Sequence, residues 1–315
     1  MVGGTAAAPE AQKQTPAEAA EKRDLRGRRL LLLPAIALIL TFGVLPLFII
    51  LIYSFLEPGA YGGVKWEFST DAYVQFLFER DLFDDTLTFT TAYLEIYWRS
   101  LSLAAVTTVF SLLIGFPCAY VIATKPESQR NIWLFLITIP FWTNLLIRTY
   151  AMLLIVRDQG IINGFLVGIG IIDQPIVILY TDFAVGLGLI YSYLPFMVLP
   201  IYASLEKLDF RLVEAGFDLY ADRKKVLRKI VLPLAMPGVV AGSILVFIPS
   251  LGSFITPVLL GGGTELMIGN MIQLQFGSSR NWPFGSAAAL ILMTTVLIAL
   301  TVYVKNSSRI RAGQS

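Results

Sequence analysis

The sequence predicts an all-α membrane protein with six transmembrane helices. Three observations carry that prediction. Only 15% of the 315 residues are charged and 56% are hydrophobic, against roughly 25% charged in an average soluble chain. A soluble globule of this size lacks the charge to cover its surface. Six long stretches are almost free of charge: Leu30–Leu56, Leu101–Thr124, Ile132–Val156, Phe183–Ala203, Leu234–Leu260 and Ser286–Val304. Each is near or above the ~20 residues that a helix needs to cross a bilayer. Finally, with the N-terminus placed in the cytoplasm, eighteen of the 24 Lys and Arg fall on the cytoplasmic side and five on the opposite side. That is the asymmetry of a positive-inside topology, so both termini are expected in the cytoplasm.

Composition also removes function classes. The chain has no histidine, which excludes Ser-His-Asp triads, Ser-His intramembrane proteases and histidine-bound zinc. Its single cysteine, Cys118, permits neither an internal disulfide nor a thiolate cage. It lies in an apolar run, as a small buried hydrophobe would. A net charge of +2 lacks the basic excess of a nucleic-acid binder.

Taken in order, residues 1–29 read as a cytoplasmic, disordered tail rich in Ala, Glu, Gln and Pro, with Arg26, Arg28 and Arg29 abutting the first apolar run. That run is much longer than the ~7–15 residues of a signal-peptide core, so it is expected as an uncleaved first helix. Residues 30–304 form the membrane domain, and 305–315 a cytoplasmic tail. The outer segment 57–99 holds eight Asp or Glu against three Lys or Arg, with Glu79, Asp81, Asp84 and Asp85 clustered. The cluster reads as the mirror of positive-inside, or as an attractor for a cation or a basic docking surface. Arg148 is the one ionised side chain inside an apolar run. It is placed about two thirds of the way across span three, as a gating or structural residue paired to a carboxylate or snorkelling outward. Gly160, Gly164 and Gly168 are spaced to let a short outer helix pack closely. The fifth run contains Pro237, Pro249, Pro257, Gly238, Gly242 and Gly252. Broken backbone at membrane depth survives only where protein or a watery cavity satisfies it, and it is common in transporters. Pro249 and Pro257 are therefore candidate gating or structural positions. Gly238 and Gly242 permit close helix packing. Gly261-Gly262-Gly263-Thr264 lacks the Lys of a P-loop, so ATP, if used, binds another chain.

The loop 204–233 is the most patterned soluble stretch. Asp209 is positioned to cap a helix Phe210–Leu219, and Asp222 to cap a second, Arg223–Val231, that runs into Pro233. The first helix mixes Leu212, Val213, Ala215, Phe217 and Leu219 with Arg211, Glu214 and Asp218. It would lie on the membrane or dock into a cytoplasmic partner. Glu214 beside the small residues Ala215 and Gly216 is suited to entering a groove.

Glu214-Ala215-Gly216 followed by Ile230-Val231-Leu232-Pro233 resembles the EAA loop of ABC-importer permeases. Gly216 stands where that pattern has Ala and Tyr220 where it has Gly. A non-glycine residue at positive φ costs about 1 kcal/mol or more, so a reshaped turn is expected. The resemblance extends over Pro140-Phe141-Trp142-Thr143-Asn144-Leu145-Leu146-Ile147-Arg148, Leu194-Pro195-Phe196-Met197-Val198-Leu199-Pro200, Leu205-Glu206-Lys207-Leu208-Asp209 and Asn281-Trp282-Pro283-Phe284-Gly285. These segments resemble the first permease subunit of spermidine/putrescine importers. The likeness implies the type I ABC-importer permease fold with a cytoplasmic EAA coupling helix. It implies a multi-pass bacterial inner-membrane subunit that does no chemistry and has no cofactor of its own. A second homologous permease, two ATPase subunits carrying ATP and Mg, and a substrate-binding protein are the implied partners, with membrane lipid around and no nucleic acid. Coupling would run through Glu214, Ala215, Gly216 and Asp218.

A polyamine path needs acceptors for ammonium groups and aromatic faces for cation–π contact. Trp142, Asn144, Tyr150, Tyr191 and Tyr193 are the candidate pathway residues, whereas Arg148 would repel a polycation. Two rivals stay open: a permease for another solute such as iron, thiosulfate or an aminophosphonate, and a self-contained secondary transporter. The absence of a carboxylate in any apolar run weighs against the second.

Overall fold

The computed structural model describes residues 32–80, 86–263 and 266–312, the last eleven of these as backbone only. The tail expected at 1–29 lies outside the described residues. Six helices among those described are long and apolar enough to cross a membrane. The first, α1 (Leu32–Tyr53), contains a π-turn over Leu40–Val44 and is one unit by itself up to Ile52. The rest forms a second unit from Tyr53 onward.

That second unit opens with short elements that the sequence does not announce. Strands β1 (Leu56–Pro58) and β2 (Val64–Phe68) pair antiparallel, followed by helix α2 (Asp71–Val74). Strands β3 (Phe78–Arg80) and β4 (Leu87–Phe89) form a second hairpin. The second span, α3 (Ala92–Ala123), then packs on the fourth, α7 (Asp182–Leu205), and on the fifth, α9 (Arg223–Leu251). Met197, Val198, Ile201 and Leu205 of α7 are fully buried between Ala119 and Ile122 of α3 and Val231, Ala235 and Val246 of α9. Gly238 and Gly242 make this approach possible. A Cβ on Gly238 would collide with the Pro200 carbonyl and reach 2.8 Å from the Ile201 Cα, and one on Gly242 would meet Met197 Sδ at 2.9 Å. Near the N-terminal ends of α3 and α7, Arg99 clamps Asp182 through Nε–Oδ1 at 3.0 Å and Nη2–Oδ2 at 3.4 Å. Asp182 sits in the first turn of α7, where a carboxylate also suits the helix dipole.

The third and fifth apolar runs are not single helices. The third divides into α4 (Glu127–Thr138), a 3-10 turn (Ile139–Trp142) and α5 (Leu145–Val156), and the third membrane-length stretch runs over Leu145–Gly168 instead of the expected Ile132–Val156. Pro140 lacks an N–H and its ring disfavours the preceding α-helical turn, while Thr143 and Asn144 are extended, with ψ of 147° and 140°. Arg148 consequently lies in the first turn of α5, not two thirds along a continuous span. Helix α6 (Ile161–Gly168) follows; of the three spaced glycines only Gly160 is closely approached, a Cβ there falling 2.8 Å from the Leu154 and Arg157 carbonyls of the preceding turn. A Cβ added to Gly164 or Gly168 would meet nothing within 4 Å. The buried Asn163 holds this segment instead, through both amide atoms to the backbone of Ile176 at 2.8 and 2.9 Å.

The fifth run breaks at Gly252–Phe254 before α10 (Ile255–Leu260). Pro257 falls in the first turn of α10, where its missing N–H is not needed. The break is braced by α11 (Ile268–Phe276): Asn270 Nδ2 donates to the Phe254 carbonyl at 2.7 Å while its Oδ1 accepts from Met267 N at 3.2 Å. A protein side chain thus satisfies the freed Phe254 carbonyl, as a low-dielectric setting favours. The last helix, α12 (Trp282–Ala312), continues well past Val304.

Candidate functional site

The loop after α7 carries the first candidate site. Helix α8 (Arg211–Asp218) begins one residue later than the sequence suggests. Asp209 nonetheless serves its start, accepting from Arg211 N at 3.0 Å. Asp222 caps the next helix by accepting from Lys225 N at 2.6 Å. That next helix does not stop at Pro233. It is the beginning of α9, and a π-turn over Leu227–Val231 widens the ladder just before the proline that cannot donate to it.

Val213 and Gly216, three residues apart on one face of α8, are buried. Gly216 faces inward, where a Cβ would come within 2.9 Å of Ile230 Cδ1 and 3.3 Å of Val226 Cγ2. Glu214, Ala215, Phe217 and Asp218 are exposed, as are Leu212, Leu219 and Tyr220. So α8 is pinned by its small residue and presents two carboxylates among exposed apolar groups. The turn that ends it is not reshaped by Tyr220, which adopts φ 57°. Ala221 N donates to the Gly216 carbonyl at 3.1 Å and Tyr220 N to that of Phe217 at 2.9 Å, the paired bonds of a Schellman closure. These bonds and the exposure of the ring (97%) let tyrosine occupy a conformation that favours glycine.

The second candidate site lies where the two helix breaks approach α7. The Arg148 guanidinium stands over the Phe141 ring, with Cζ 5.2 Å from its centroid. Phe141 meets Phe196 edge-on at 4.7 Å, and Phe196 is 6.2 Å from Tyr193. The Tyr193 hydroxyl donates to the Pro249 carbonyl at 3.3 Å, near the end of α9. The structure thus gathers Arg148, Tyr193 and Pro249 but leaves the other candidates outside. Asn144 is engaged as the cap of α5, accepting from Leu146 N at 2.8 Å. Trp142 (81% exposed), Tyr150 and Tyr191 lie on the surface, and Pro257 is buried in α10. No carboxylate pairs with Arg148 among the described residues, and its Nε and Nη1 are buried without a hydrogen-bond partner. Sequence reasoning does not single out Phe141 and Phe196, although each directly follows a proline in a conspicuous segment.

Of the acidic cluster, Asp81, Asp84 and Asp85 lie outside the described residues. Glu57 and Glu67 both accept from Lys65, at 3.4 and 2.6 Å. The Glu67 hydrogen bond, opposed by a smaller desolvation effect, raises the Lys65 pKa above its ordinary value. All three groups are exposed, so the pairs add little stability.

Comparison with known proteins shows the family and the fold. Residues 106–311 match the family of binding-protein-dependent transport system inner membrane components. The chain belongs to that family. It is 46% identical over 216 residues to the spermidine/putrescine transport system permease protein PotB of Haemophilus influenzae, covering 69% of this chain and 75% of that one. It is 41% identical over 262 residues to PotB of Escherichia coli strain K12, covering 83% and 91%. Its fold matches a chain in the crystal structure of a bacterial alginate ABC transporter bound to an alginate-loaded periplasmic protein, with TM-score 0.71, 18% identity and coverage of 92% and 96%. This permease is therefore a multi-pass inner-membrane subunit with the type I ABC-importer fold.

Proposed function

We propose that this chain is the translocating permease subunit of an ATP-driven importer for polyamines such as spermidine and putrescine. The observation that carries the reading is the 41% identity with a spermidine/putrescine permease over 83% of the chain, joined to an aromatic cluster beside a broken membrane helix. Aromatic faces beside the carbonyl end of a helix suit a flexible polycation with an apolar spine.

In this reading the subunit binds no nucleotide. Two partner ATPases hold ATP and Mg, a second homologous permease completes the path, and a binding protein delivers the polyamine. Exposed α8 docks in the ATPases through Glu214, with Asp218 and Ala215 beside it and Gly216 fixing the helix from behind. Both termini face the cytoplasm. ATP-driven closure of the ATPases moves α8, and α8 moves α7 and α9 because Val213 shares their core.

Uptake of labelled spermidine by cells with and without this chain tests the substrate class. Excess putrescine should suppress the chain-dependent uptake, and excess ferric iron, thiosulfate or aminophosphonate should leave it unchanged. Suppression by one of the latter alone would replace the polyamine with that solute.

A further inference from the structure

We propose that the aromatic cluster of Phe141, Phe196 and Tyr193, beside the Pro249 carbonyl, is a seat for an organic ammonium group, and that Arg148 fills it as a tethered stand-in when no substrate is present. The inference rests on the polyamine reading for its natural occupant, but the geometry of the seat stands independently.

An arginine with buried nitrogens is normally held by a carboxylate or by carbonyls. Arg148 has neither at Nε and Nη1, both of which are buried and unpartnered among the described residues. Its place in the first turn of α5 is also opposed by the positive end of that helix. The contact the cation does make is with the Phe141 face, 5.2 Å from Cζ. Phe196 packs its edge against that ring at 4.7 Å and 89°, which fixes the ring's orientation. On the far side, α9 ends at Leu251, so its last carbonyls present the negative end of a helix dipole. The Pro249 carbonyl accepts one bond from Tyr193 and keeps a second lone pair.

None of these features selects a guanidinium over an ammonium. A π-face and a carbonyl end serve any compact organic cation. Among the described residues this is a cation seat without a fixed counter-ion, filled by a movable cation of the chain's own. An arriving ammonium displaces Arg148 from Phe141, and Arg148 returns as the ammonium leaves. This keeps the seat weak, which suits a site that must release what it accepts.

The test uses the purified complex of this permease with its partner subunits, without binding protein. Equilibrium dialysis measures labelled spermidine and, separately, labelled tetramethylammonium, whose cation–π chemistry is independent of the transported solute. Replacing the tethered cation in R148M should tighten binding of both probes about tenfold. R148Q serves as the second neutral variant, read wherever the complex elutes as a monodisperse peak. R148K keeps the stand-in and should bind as wild type does. Adding F141L to R148M should cancel the gain, which a merely structural Arg148 would not produce in the first place. Neutral variants that bind neither probe more tightly, or a gain that survives F141L, would overturn the seat. Tighter tetramethylammonium without tighter spermidine supports the seat and contradicts the polyamine reading. Chain-dependent spermidine uptake with no gain for either probe leaves that reading intact and removes the seat.

Discussion

At the scale of single residues, helix α8 separates anchoring from presentation. Gly216 and Val213 anchor it, while Glu214 is exposed. A carboxylate that becomes buried against a basic partner loses ~3–5 kcal/mol when the pair is broken, whereas an exposed pair is worth under ~1 kcal/mol. Glu214→Arg should therefore dissociate or uncouple the ATPases and leave the membrane domain folded. Co-purification of the ATPases and binding-protein-stimulated ATP hydrolysis report this, and wild-type levels of both would make Glu214 a solvated surface group. Tyr220 offers a separate test. Its φ of 57° costs a tyrosine about 1 kcal/mol relative to glycine. Tyr220→Gly should slow hydrogen exchange at the closing amide of Ala221 about fivefold, and unchanged or faster exchange would mean that the turn bonds already absorb the strain. The existence of this turn was legible in the E-A-G spacing. Its retention was not, because tolerance of tyrosine depends on two backbone bonds and an exposed ring that only the fold reveals.

At the scale of helices, spans α3, α7 and α9 form the core because small residues bring backbones together. Gly238 lies against immovable backbone at Pro200 and Ile201, whereas Gly164 lies in open space. Gly238→Ala should destabilise the detergent-solubilised complex by ~1–3 kcal/mol, as overpacking does. Gly164→Ala should be neutral or stabilising by up to ~1 kcal/mol, because alanine is the better helix former. Thermal unfolding checks both; equal effects would remove the packing role assigned to the Gly238–Gly242 pair. Sequence periodicity could not separate these two GxxxG spacings, since the same glycines serve packing only when a neighbour is present. The breaks at 139–144 and 252–254 were half legible for a similar reason. Proline and glycine announced an irregular fifth run, but apolar composition hid the division of the third. Asn270, which reaches back to the second break from the following helix α11, carried no local signal.

At the scale of the whole molecule, composition specified a membrane protein and six apolar runs specified six spans, since bilayer thickness sets span length. The two hairpins escaped prediction because strands of three to five residues leave little pattern. The aromatic cluster escaped as a unit because Phe141 and the Tyr193–Phe196 pair come from two elements far apart in sequence. Orientation rests on the Lys/Arg asymmetry and has a direct check. Ser69→Cys should react with an impermeant thiol reagent on intact cells and Ser308→Cys should not; outside labelling at position 308 would reverse the assignment of the C-terminus.

The most direct measurement of the central claim is transport by proteoliposomes that hold this chain, the second permease and the ATPases, with spermidine-loaded binding protein on the outer face. With ATP and Mg on the ATPase side, labelled spermidine should accumulate inside against its gradient, and omission of either this chain or ATP should abolish accumulation. Accumulation that persists without ATP, or that proceeds at the same rate without this chain, would contradict an ATP-driven permease role.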